Sequence, residues 1–248
     1  MAIFRARDLW ETALNESTSR RWKQYPKHYT CLFEDYYEMD DRDERKSVSW
    51  SCIVTCLDNF FLSATWETLQ KSRPTRWLAL DDSRVQDTLV TVDGIPSFMV
   101  IDLGYDLSRS GEPRERCRLF DWKTGRPGSE DEKQLAYYAL FSELKWGFRS
   151  DQVTARLVYL HEYDERNVAI SEDMVELAKQ EIQTSFKRMQ SLLVDIETNT
   201  PLPISSFSVT KNCSHCRYCS FQEICSDRAL GRAEGVGQGD EADPLFFG

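Results

Sequence analysis

The sequence predicts a single α/β domain, a central mixed sheet flanked by helices, and three observations carry that reading. Short apolar runs bounded by turn residues recur at 89–92, 97–102, 118–123 and 155–160, with the length and composition of strands. Longer stretches at 1–24, 48–71, 131–147 and 171–198 space their apolar residues three and four apart, as an amphipathic helix does. The 248 residues, 41% apolar and 12% aromatic, suffice for one large domain with a real core or two small ones.

Each element has its own signal. In the first helix Phe4, Leu9, Trp10, Ala13 and Leu14 fall at helical spacing, and Pro26 lies just beyond. The aromatic-rich segment His28 to Tyr37 follows, with Cys31 inside it. Met39 to Lys46 is a charge run that reads as a solvated loop or helix start. The next helix carries Trp50, Ile53, Val54, Leu57, Phe60, Phe61 and Trp66, and Pro74 ends it. Asp93-Gly94-Ile95-Pro96 is a turn between two strands, and the second strand, Ser97 to Asp102, ends in an acid. Asp106 reads as a loop residue, and the polar stretch 108–115, with Gly111 and Pro113, as a hairpin loop. Gly125, Pro127 and Gly128 end the returning strand. Acids then open a helix in which Leu135, Leu140 and Leu144 are candidate core contacts. His161, just after the last strand, reads as structural. Met174, Ala178, Ile182, Phe186, Met189, Leu193 and Ile196 form one apolar stripe on the last helix.

Composition narrows the function classes. No run approaches the ~18 apolar residues that span a membrane. Charges fall in Met1 to Trp10 where a signal peptide needs an apolar core, so a cytoplasmic protein is expected. The net charge of −10 argues against general adhesion to nucleic acid, because phosphate contacts need Lys and Arg. Two local basic clusters stand against that background. One is Arg109, Arg114, Arg116, Arg118, Lys123 and Arg126; the other is Arg20, Arg21, Lys23 and Lys27. Each reads either as a nucleic-acid groove or as a solvated face. An acidic protein of this kind also leaves room for a partner subunit. Residues 226–248 are Gly-rich and acidic and are expected to be a disordered tail, whose Pro244 and two Phe suit docking into a partner.

The chemistry concentrates in Cys117-Arg118-Leu119-Phe120-Asp121-Trp122-Lys123-Thr124-Gly125 and in Asp102. Residues 121 and 123 share one face of a strand. If the two strands are neighbours, Asp102, Asp121 and Lys123 converge. Two carboxylates hold a hard divalent cation such as Mg²⁺ or Mn²⁺, with the Trp122 carbonyl as a further donor. The cation polarises a phosphate and lowers the pKa of an attacking water. The lysine stabilises charge that develops on the phosphate or orients the water. Gln134 and Tyr138, four apart, share a face of the following helix.

Cys213, Cys216, Cys219 and Cys225 place four thiols in thirteen residues, a spacing that binds zinc or an iron–sulfur cluster. A local set of these four cysteines would form a small zinc site. Cys52, Cys56 and Cys117 read as core thiols.

Asp102 followed by Asp121-x-Lys123 resembles the signature of the PD-(D/E)xK nucleases. Gln134-x-x-x-Tyr138 resembles the additional motif of their RecB-like branch, which includes CRISPR spacer-acquisition nucleases and repair exonucleases. The resemblance runs from about residue 25 to 225. It implies a restriction-endonuclease-like core in one domain over 1–225, with Asp102, Asp121, Lys123, Gln134 and Tyr138 as its catalytic residues. It further implies a [4Fe–4S] cluster on Cys31, Cys216, Cys219 and Cys225, with Cys213 spare, that clamps the two ends of the domain. By analogy with a disulfide closing so long a loop, such a clamp contributes roughly 4–5 kcal/mol. Single-stranded DNA or DNA ends are the implied substrate, in repair, recombination or defence. The sequence departs from the family on the helix at 48–71, where Thr55 stands in place of a metal-binding histidine, with Asp58 one turn on. That departure keeps open a non-catalytic, cluster-stabilised subunit. A zinc-ribbon interaction protein is a third reading.

Overall fold

The computed structural model describes residues 1–80, 88–108, 115–207, 216, 219–223 and 225. The chain divides into two units, one built on Thr55–Thr200 and one from Met1–Val54 with Pro201–Leu245.

The first of these is the sheet unit. Its main sheet holds five strands: β1 (Trp77–Leu80), β4 (Leu103–Asp106), β5 (Cys117–Lys123), β6 (Val153–Tyr159) and β7 (Asp164–Ala169), in the order β1-β4-β5-β6-β7. The β5/β6 pair is parallel and the other three are antiparallel, so the sheet is mixed. A parallel pair needs a crossover, and helix α5 (Asp131–Trp146) supplies it. Gly147, in the left-handed conformation at φ +75°, ends that helix. A separate hairpin, β2 (Leu89–Val92) with β3 (Ile95–Phe98), turns on Asp93 and Gly94, both at positive φ.

Alternation along β5 sorts its residues between two layers. Cys117 and Leu119 pack with Leu135, Ala139 and Leu140 of α5, and with Val175 of α6 (Glu172–Gln190). Phe120 and Trp122 point the other way, with Leu103, toward Phe60, Trp66 and Leu69. Those last three lie on α3 (Arg42–Leu62) and α4 (Ala64–Lys71). Ser63 separates these two helices because its hydroxyl accepts the Trp66 N–H and caps α4.

Gly104 sits where the β4 backbone meets Trp146. A Cβ there would lie 2.6 Å from the indole ring. Gly104→Ala is expected to cost about 1–3 kcal/mol through overpacking, read by urea denaturation.

Cys117 is fully buried, and burial pushes its thiol up to about 12. The Ser142 hydroxyl partly offsets this and the charge of Asp106 adds to it. The folded state therefore favours the neutral thiol. That contribution is complete below the ordinary value near 9 and is lost as pH rises toward 12. Native protein at pH 8.5 is expected to resist iodoacetamide at Cys117 and to react there only after unfolding, as mass spectrometry would show.

The second unit joins both ends of the chain. It contains α1 (Ala2–Thr18), a 3₁₀ turn at Arg21–Lys23, the short α2 (Phe33–Tyr36) and the first part of α3. Buried Ser17 is its knot: the hydroxyl accepts Leu32 N–H and the carbonyl accepts the Trp22 indole N–H, both at 2.9 Å. Burial works against the Asp35 charge, but the hydrogen bond from Lys46 at 2.7 Å, with Ser17, outweighs it and keeps the pKa lowered. Tyr36 donates to Glu223 at 2.7 Å and Tyr37 to the Ser220 carbonyl at 3.1 Å, which ties the C-terminal segment to α2.

Several elements differ from the sequence expectation. The strand expected over 97–102 stops at Phe98, since that stretch pairs back on β2. Met99 and Ile101 then turn into the core, and Asp102 precedes a new strand instead of ending an old one. Asp106 belongs to that strand, and its carboxylate accepts Ser108 N–H. The helix over 48–71 begins earlier, at Arg42, and breaks at Ser63. The helix over 171–198 stops at Gln190, and Met189 and Ile196 are exposed while Val175 is in the core. Leu144 is 45% exposed. Strands β1 and β7 had no expectation; charged residues at the start of β7 hide it, and β1 is a short edge. The tail 226–248 lies outside the described residues.

Candidate active site

Asp102, Asp121 and Lys123 come together at one end of β5, within the sheet unit. Leu103 pairs with Phe120 in the antiparallel β4/β5 ladder, so one step further Asp102 stands opposite Asp121. Asp121 and Lys123 share the β5 face that looks toward α5. Asp121 is 1% exposed. Lys123 Nζ lies 3.0 Å from Asp121 Oδ2 as an ion pair, yet out of line for a hydrogen bond, and that buried oxygen has no hydrogen-bond donor.

Gln134 and Tyr138, on the face of α5 that meets β5, close a ring around this pair. Lys123 Nζ donates to Gln134 Oε1. Gln134 Nε2 donates to the Tyr138 hydroxyl at 2.8 Å, and that hydroxyl donates to Asp121 Oδ1 at 3.2 Å. An ammonium only donates and a carboxylate only accepts, so the ring can run in one direction and fixes the Gln134 amide orientation. Burial, and then the charges of Asp121 and Asp102, push the Tyr138 hydroxyl far above its ordinary value. It stays a proton donor at neutral pH. Both carboxylates act on Tyr138, which places Asp102 within electrostatic reach of the same ring. Asp102 Oδ2 also accepts the Trp122 main-chain N–H at 2.8 Å.

For a hard divalent cation these residues fit. A buried carboxylate oxygen without a donor, faced by a second carboxylate, is the oxygen donor set such an ion takes, and waters or phosphate oxygens complete it. Among the described residues no group of three or more His, Cys, Asp and Glu is placed to hold a metal. Thr55 is half-buried on α3 and Asp58 is exposed.

A supporting layer escaped the sequence reading. Tyr159 is the register partner of Lys123 in the parallel β5/β6 ladder. Its hydroxyl donates to Asp131 Oδ2 at 2.8 Å, and the same oxygen accepts Gly128 N–H at 2.7 Å. This fixes the first residue of α5, three residues before Gln134. Asn59 of α3 donates to the carbonyls of Leu160 and His161 at the end of β6. Parallel register depends on pairing between distant segments, so no local pattern reveals Tyr159. The position of Asp131 at a helix start, after Gly125, Pro127 and Gly128, was the available hint.

The structure divides the described members of the basic cluster at 109–126. Arg118 lies on the opposite sheet face, paired with Glu115, and Arg116 stacks over Phe148. Arg109 and Arg114 lie outside the described residues. Cys31, Cys216, Cys219 and Cys225 all belong to the unit of the chain ends, but the structure does not gather them into a metal-holding group; Cys31 is exposed and the other three are half-buried. Cys213 lies outside the described residues.

A mixed sheet with helices on both faces, with one acid just before a central strand and an acid and a lysine on the neighbouring strand, is the layout of a restriction-endonuclease-like core. The chain belongs to the PD-(D/E)XK nuclease superfamily, whose family model matches residues 33–226. Nucleases of this superfamily typically use Mg²⁺ or Mn²⁺, and membership points to nuclease activity. No curated protein matches the chain. No described helix is long and apolar enough to cross a membrane.

Proposed function

We propose that this protein is a metal-dependent deoxyribonuclease that hydrolyses phosphodiester bonds in single-stranded DNA or at DNA ends. Such an activity serves repair, recombination or defence. The observation that carries the reading is the ring of Asp121, Lys123, Gln134 and Tyr138 with Asp102 opposite. Asp102 and Asp121, with the Trp122 carbonyl, would hold Mg²⁺ or Mn²⁺. When bound, that ion polarises the scissile phosphate and lowers the pKa of the attacking water. Lys123 places a positive charge beside the carboxylates, where it stabilises negative charge on the phosphate. Gln134 aims the Lys123 ammonium, and Tyr138 keeps one Asp121 oxygen turned inward. The test is incubation of the full chain with end-labelled single-stranded DNA, in Mn²⁺ and in EDTA. Cleavage in Mn²⁺ alone is expected, and intact DNA in both would refute the reading.

One observation favours a second reading, a non-catalytic nucleic-acid-binding subunit. The position on α3 where the family carries a histidine holds half-buried Thr55. DNA binding without cleavage in the same assay selects it.

The unit of the chain ends is proposed to carry a [4Fe–4S] cluster on Cys31, Cys216, Cys219 and Cys225. Two facts support this: the C-x₂-C-x₅-C spacing, and the Tyr36 and Tyr37 hydrogen bonds that tie 220–223 to the helix just after Cys31. Protein purified without oxygen is expected to contain about four irons per chain. Cys31→Ser should lose most of this iron and its absorbance near ~400 nm. Zinc without iron would instead identify a zinc site.

A further inference from the structure

We propose that the segment 20–29 is a second nucleic-acid contact, specific for single strands, lying outside the site of cleavage. Between Ser17 and Phe33 the chain carries Arg20, Arg21, Lys23 and Lys27 and no carboxylate, in a protein of net charge −10. The segment is a series of tight turns: Lys23 N–H donates to Arg20 O, Gln24 and Tyr25 N–H to Arg21 O, and His28 N–H to Tyr25 O. These turns set aromatic rings among the cations. The Arg21 guanidinium lies over the Tyr29 ring at 4.2 Å, and Tyr25 is 6.4 Å from Tyr29, centroid to centroid.

Two features separate this patch from an ordinary solvated face. Arg20 is paired with Glu38, whereas among the described residues Arg21, Lys23 and Lys27 are exposed and in no ion pair, with Glu16 the acid within electrostatic reach of Arg21. Among the described residues many exposed cations elsewhere, such as Arg7, Lys71, Lys133, Arg149 and Arg166, are matched to acids, and unmatched ones such as Arg5 and Arg73 do not gather with exposed rings as these three do. Tyr25 is also 49% exposed beside these charges, an open ring that no packing requirement explains. Cations that track a backbone, interleaved with a ring on which a base stacks, are the elements of single-strand binding without sequence preference. Phosphates would meet Arg21, Lys23 and Lys27, and a base would stack on Tyr25. An anionic membrane surface would also take the charges and an interfacial tyrosine, and the vesicle arm of the test separates it. The choice of nucleic acid rests on the nuclease reading above, so the test measures binding and not cleavage.

The experiment is fluorescence anisotropy of a labelled 20-nucleotide oligo-dT, and of a 20-base-pair duplex, with the full chain in EDTA at several salt concentrations. Each phosphate contact on a single strand contributes about −0.7 to the slope of log K against log salt. Arg21→Gln/Lys23→Gln/Lys27→Gln is expected to weaken oligo-dT binding and flatten that slope by about two. Lys23→Gln/Lys27→Gln, which leaves the Arg21–Tyr29 stack in place, should flatten it by about one, guarding against a folding artefact. Tyr25→Ala should weaken oligo-dT binding by about tenfold and leave the duplex unchanged. Wild-type affinity and slope in both charge variants would overturn the proposal. So would sedimentation with phosphatidylserine vesicles that the triple variant loses while oligo-dT binding stays intact. Cleavage of DNA in Mn²⁺ with no change in any binding variant would uphold the nuclease and reject this second contact.

Discussion

Asp121→Asn is expected to reduce Mn²⁺-dependent cleavage by about 10³–10⁴-fold, roughly 4–5 kcal/mol of lost transition-state stabilisation. The reasoning starts from burial. Asp121 is 1% exposed, and its Oδ2 has no hydrogen-bond donor, an arrangement that favours a cation over a neutral partner. Asparagine keeps an oxygen for Tyr138 but presents no negative charge to a divalent ion. Folding should suffer little. The substitution removes a buried charge while Lys123 retains Gln134, so the change in stability should stay within about 1 kcal/mol, or ~2–4 °C in Tm. Steady-state cleavage and thermal denaturation of the same preparation separate the two effects. A variant that cleaves within tenfold of wild type would remove Asp121 from the reaction.

Lys123→Ala is expected to lose about 10³-fold in cleavage, close to what one preorganised charge or donor supplies at a transition state. Its stability should behave unlike that of Asp121→Asn. Removal of the ammonium leaves the buried Asp121 carboxylate without its cation, and breaking a buried pair costs about 3–5 kcal/mol. A divalent ion bound at the carboxylates replaces that charge, so Mn²⁺ should raise the Tm of this variant more than that of wild type. Lys123→Met, which preserves the side-chain stem, should show the same metal dependence with less loss of packing. Equal Mn²⁺ stabilisation in variant and wild type would show that lysine and metal do not share the Asp121 site.

How much of this was legible in the sequence depends on whether the signal was local. Asp121 and Lys123 two apart in an apolar run, and Gln134 and Tyr138 four apart, are local patterns, and the structure brings these four side chains into one ring. Asp102 was legible as a residue but not as an element. Its strand was assigned to the wrong side because the apolar run 95–101 continues through a change of partner, from the β2/β3 hairpin to the core. Tyr159 was legible only as a strand residue, since its tie to Asp131 follows from parallel register across a crossover. The basic cluster at 109–126 was legible only as nearness in sequence. Alternation along β5 sends Arg118 to one face and Lys123 to the other, which nearness in sequence does not show. The segment 20–29 keeps its charges on one short stretch because tight turns, not a strand, carry them.

The central claim is that Asp102 and Asp121 form one divalent-metal site. Its most direct measurement is an equilibrium titration with Mn²⁺, followed by the EPR signal of the free ion, on wild type, Asp102→Asn and Asp121→Asn. Wild type is expected to bind Mn²⁺, and each substitution to weaken that binding by at least about tenfold. Unchanged Mn²⁺ affinity in both variants would contradict the account.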